Sequence, residues 1–97
     1  GNTYAYYSNF GLSDTMFRRA LALARDLNDK YLEIVVLVNL GLLYKTRLDY
    51  QTAYSCYLKA RRIAKEISNQ VFESKIEEHI TELNNLMDME NLTKGTT

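Results

Sequence analysis

The 97-residue chain has no proline and no tryptophan, four glycines, one histidine and one cysteine. The lack of proline and the scarcity of glycine leave few backbone breakers, as expected of an ordinary helical protein. With Cys56 alone, an intrachain disulfide is impossible and a zinc-cysteine site is excluded, so a free thiol is expected. No run approaches the 18 consecutive apolar residues of a membrane span, so nothing in the chain is expected to cross a bilayer or direct secretion, and a cytoplasmic location is expected. Net charge is also absent, although its distribution is uneven. Residues 1–65 carry ten Lys/Arg against five Asp/Glu, and residues 66–97 carry two against seven, so one end is basic and the other acidic.

What the chain does have is an ordered stretch in its middle. It reads Leu40-Gly41-x-x-Tyr44, then Asp49-Tyr50-x-x-Ala53-x-x-x-Tyr57-x-x-Ala60-x-x-x-Ala64. A glycine inside a helix costs about 1 kcal/mol relative to alanine, so Gly41 must be offset by a partner helix pressed against the missing side chain. Ala53, Ala60 and Ala64 offer a matching shallow surface, and Leu40, Tyr44, Tyr50 and Tyr57 fall between the small residues at three- and four-residue steps. The expected unit is a helix-turn-helix hairpin with a glycine-alanine contact. A shift of 40 residues lays Gly1 on Gly41, Tyr4 on Tyr44, Asn9 on Asp49, Phe10 on Tyr50, Phe17 on Tyr57, Ala20 on Ala60 and Ala24 on Ala64.

This pattern resembles the tetratricopeptide repeat, whose first helix carries Leu-Gly-x-x-Tyr and whose second carries Ala-x-x-x-Phe/Tyr-x-x-Ala. The resemblance covers residues 1–70. The glycine usual between the paired helices is replaced by Ser8 and Leu48, and the closing proline is absent. The 40-residue period is similar to that of G-protein-modulator scaffolds, kinesin light chains and bacterial peptide-sensing regulators. An all-α, antiparallel helix-hairpin solenoid is implied, with about two repeats and a C-terminal capping helix.

In chain order, residues 1–8 are expected to be the end of a first helix, so that the chain starts in mid-repeat and residues 1–29 make a partial one. Residues 10–28 follow as a helix capped by Asn9, with Met16, Phe17, Ala20, Leu23, Ala24 and Leu27 as its apolar stripe. Residues 30–47, capped by Asn28 and Asp29, are apolar nearly all round. Their β-branched run at 34–38 is read as helix because a lone strand would have no partner. Residues 50–67 follow Asp49, which completes a full repeat over 30–69. Residues 70–92 form the capping helix, with Phe72, Ile76, Ile80, Leu83 and Met87 as a narrow stripe, and residues 93–97 form a disordered tail.

No glycine-rich phosphate loop, Gly-x-Ser-x-Gly or cysteine-histidine pairing is present, and no Glu-x-x-His surrounds His79, so no enzyme, cofactor or metal is expected. Arg18, Arg19, Arg25, Lys59, Arg61, Arg62 and Lys65 form a candidate basic patch. Asp26, Glu66 and the zero net charge argue against nucleic acid. The resemblance implies a protein-interaction module that holds a peptide or partner helix in a concave groove presenting Val35, Val38, Asn39, Leu42, Lys45 and Thr46, to which the capping helix adds Lys75, Glu78, His79 and Glu82. Family members that clamp a terminal carboxylate use lysine and asparagine where this chain has Val38 and Leu42. An apolar ligand flanked by charge is therefore expected, with Asn39 bonding its backbone. The alternative is the peptide-sensing domain of a bacterial transcriptional or signalling regulator. Met16, Leu23 and Leu27 are expected to lack a covering helix, so copies are expected to meet face to face through their N-terminal ends or head to tail between the basic front and the acidic rear, and self-association through the N-terminal hairpin, with exchange of residues 1–8 as one form of it, is the expectation.

Overall fold

A computed structural model describes residues 10–95, with side chains through Leu92. Among the described residues there are four helices and no strand: α1 (Phe10–Asp26), α2 (Lys30–Thr46), α3 (Tyr50–Glu66) and α4 (Gln70–Gly95). The run at 34–38 is helical, as expected, because tertiary burial on several sides outweighs the β preference of Ile and Val. Among the described residues no helix is long and apolar enough to cross a membrane.

Helices α1 to α3 are each 17 residues long and are joined by three-residue turns of one design. Asn28, Leu48 and Ser68 adopt positive φ (54°, 66° and 55°), and they stand 20 residues apart. In every turn the next amide reaches back over the helix end: Asp29 N to Ala24 O at 2.8 Å, Asp49 N to Tyr44 O at 2.9 Å and Asn69 N to Ala64 O at 2.9 Å. The positive-φ residue itself bonds the carbonyl three back, so each helix closes with a left-handed residue and a doubled set of return bonds. This closure takes up residues 27–28, 47–48 and 67–68, and each helix therefore ends one or two residues before its expected limit.

The residue after each closure starts the next helix. Asp29 Oδ1 accepts from Leu32 N (3.1 Å), Asp49 Oδ1 from Thr52 N (3.2 Å) and Asn69 Oδ1 from Phe72 N (3.0 Å). Asp29 and Asp49 are the expected caps. Asn69 caps α4 in the same way. Helix α4 continues to Gly95, past the expected end near residue 92, since no proline or αL residue interrupts it. The cap expected at Asn9 and the helix expected at residues 1–8 lie outside the described residues.

Packing is concentrated between consecutive helices, and most extensively between α2 and α3. The core is built from Leu21 and Ala24 of α1, Ile34, Val36, Leu37, Leu40 and Leu43 of α2, Ala53, Tyr57, Ala60, Ile63 and Ala64 of α3, and Ile76, Ile80 and Leu83 of α4. Helix α2 is apolar nearly all round because it has neighbours on more than one side. The stripe expected on α1 divides: Ala24 is buried and Phe17 and Ala20 are half-buried, whereas Met16, Leu23 and Leu27 are exposed. Leu21, outside that stripe, takes a core position. A polar network ties α1 to α2: Arg18 donates to the Tyr44 hydroxyl (3.0 Å), which donates to Asp14 (2.7 Å).

The contact expected at Gly41 is corrected by the structure. A partner helix is pressed against Gly41 as expected, but the atoms nearest to the space left by its missing side chain belong to the ring of Tyr57 and not to an alanine. Ala53, Ala60 and Ala64 are fully buried in the core.

Candidate functional site

Because α2 and α4 both pack on α3, they lie beside each other without a turn of their own. Two ties hold them together. At one end the Tyr31 ring meets the Phe72 ring edge to face at 4.9 Å between centroids, and Asn69 Nδ2 donates to the Tyr31 hydroxyl at 2.9 Å. At the other end Lys45 Nζ pairs with Glu82 Oε1. This bond keeps the Glu82 carboxyl below the usual carboxylate range.

Between the ties lies a groove of about 130 Å3, lined by Ile34, Val35, Val38 and Asn39 from α2 and by Phe72, Lys75, Ile76 and His79 from α4. It therefore brings together Val35, Val38, Asn39, Lys75 and His79 of the residues expected from sequence. It does not include the other three expected from α2. Lys45 is drawn into its ion pair, Thr46 donates its hydroxyl to the Leu42 carbonyl, and Leu42 is half-buried beyond the lining. Of the residues expected from α4, Glu82 is the partner of Lys45, and Glu78 faces the outer surface with Ser74, Glu77 and Thr81. Ile34, Phe72 and Ile76 line the groove although sequence reasoning assigned them only to packing. The available signal was that they lie one helical turn from Val38, Lys75 and His79.

Beneath the groove Tyr57 of α3 is fully buried, with its ring stacked on His79 (5.5 Å between centroids, 20° between planes). Its hydroxyl has no hydrogen-bond partner among the described residues. Burial, and secondly the negative charge of Glu82, push the phenol up to about 12. His79 is thus half-buried and held by an aromatic contact.

The candidate basic patch is largely neutralised. Arg18 pairs with Asp14, Arg25 with the buried Glu33, Arg62 with Glu66 and Lys65 with Glu73. Cys56 is a buried free thiol whose burial pushes its pKa up, away from the reactive thiolate. Among the described residues no group of three or more His, Cys, Asp or Glu side chains could hold a metal ion. No family model, curated protein or solved structure matches the chain.

Proposed function

We propose that the chain is a protein-interaction module of tetratricopeptide type that receives a peptide or partner helix in the groove between α2 and α4. The observation that carries this reading is the size and make-up of the groove. At about 130 Å3 it falls well below the roughly 300 Å3 at which small-molecule sites begin, and it suits one aliphatic side chain of a longer ligand. The walls are apolar, while Asn39, Lys75 and His79 on the rim can donate hydrogen bonds to carbonyl oxygens of the ligand backbone. The repeat reading is supported by the 20-residue recurrence of the turns and by the position of Gly41 against Tyr57.

The test is selection of binders from a random-peptide display library, followed by calorimetry with the selected peptides. Val38→Glu should weaken them at least 30-fold with helicity unchanged, since a carboxylate in the apolar wall would be buried unpaired (roughly 2 kcal/mol or more). Equal affinity for wild type and Val38→Glu would refute the groove as the site.

A further inference from the structure

Among the described residues, α1 and the turn after it present an exposed apolar face. Leu12, Met16 and Leu23 are 59%, 59% and 54% exposed on one side of α1, and Leu27, 64% exposed in the turn that follows, continues that side through its amide bond to the Leu23 carbonyl. Their intervals of four, seven and four residues read the same in both directions. When two such helices cross antiparallel about a two-fold axis, Leu12 of one lies against Leu27 of the other, and Met16 against Leu23. A face with this symmetry is complementary to itself. The opposite end of the molecule is not complementary to it: the outer side of α4 presents Ser74, Glu77, Glu78, Thr81, Glu82 and Asn85, a polar and acidic surface. We infer that the α1 face is a self-association surface whose occupant is α1 of a second copy of this chain.

The four side chains expose on the order of 400 Å2 per copy, the size at which an apolar patch marks an interaction surface. Two such faces bury about 800 Å2, less than the roughly 1,200 Å2 of a standard stable interface, so the dimer is weak and concentration-dependent. Arg19 lies beside the middle of the stripe, close to the two-fold axis, and it opposes its own copy there. Added salt screens that repulsion and strengthens the pair. Pairing of the basic front with the acidic rear would respond to salt in the opposite sense.

Sedimentation equilibrium of the full 97-residue chain, across protein concentration at low and high salt, tests the surface. The expected result is a mass that rises toward two chains from tens of micromolar upward, rises further with salt, and returns to one chain in Met16→Glu/Leu23→Glu. Because both side chains are exposed, that variant should keep its helical circular dichroism. Glu77→Lys should leave the dimer unchanged. In a Cys56→Ala background, oxidising a mixture of Met16→Cys and Leu23→Cys chains should join position 16 to position 23 in preference to 16 with 16. A chain that stays monomeric at near-millimolar concentration, with the face covered from within or bare, overturns the inference. So does association that weakens with salt and survives the double glutamate variant, which would place the contact at the acidic rear.

Discussion

The ring of Tyr57 fills the space that Gly41 leaves by having no side chain. A Cβ built on Gly41 would lie 2.8 Å from Cδ1 and 3.0 Å from Cζ of that ring, and closer still to Cε1. The same ring also stacks on His79. One aromatic side chain from α3 thus sits between α2 and α4, and it sets how closely the two walls of the groove approach.

Gly41→Ala follows directly. Helix propensity alone would reward the change by about 1 kcal/mol. Displacing a fully buried ring costs roughly 1–3 kcal/mol, so the expected net effect is a loss of up to about 2 kcal/mol in urea unfolding. The loss should shrink when Tyr57 is already Ala, because the added methyl group then enters free space. A double-mutant cycle with no coupling between positions 41 and 57 would refute the contact.

Tyr57→Phe should stabilise the chain at neutral pH. The hydroxyl is buried without a partner, an arrangement worth about 1–3 kcal/mol of desolvation, and the phenyl ring keeps the contacts with Gly41 and His79. A gain near 1 kcal/mol is expected, and a loss of that size would reveal a hidden partner for the hydroxyl.

Tyr57 also predicts an alkaline limit. Its folded-state pKa is raised from 10.0 to about 12, so the native state holds the proton more tightly than the unfolded chain. The associated stability is complete below pH 10 and is lost as pH rises from there through 12, up to about 2–3 kcal/mol. Unfolding midpoints measured at pH 9 and above 11 should fall more in the wild type than in Tyr57→Phe. Parallel curves would remove Tyr57 as the cause.

Leu48→Gly should raise stability. Leucine at φ 66° bears the left-handed penalty of about 1–2 kcal/mol, and its side chain is 71% exposed, so little burial is given up. After the entropic cost of glycine, a gain of about 0.5–1 kcal/mol is expected, or a rise of a few degrees in Tm. Asn28→Gly should gain less, since asparagine tolerates this conformation better. Equal gains at both positions would contradict the steric account.

Much of the fold is written locally in the chain. Asp29, Asp49, the apolar run of α2 and the 40-residue correspondence marked the helices before any tertiary contact was known, because capping and helical periodicity act within a few residues of sequence. The neighbour of Gly41 was not: pattern reasoning matched it with small residues, whereas the packed helices fill it with Tyr57. Nor was the depth of the groove. Ile34, Phe72 and Ile76 enter its lining, and Lys45 is drawn out of reach by Glu82, 37 residues away. Both outcomes depend on how far apart α2 and α4 sit, and α3 sets that distance with one ring. Spacing along a single helix determines which side chains share a face, but what that face meets is decided only when helices distant in sequence pack together.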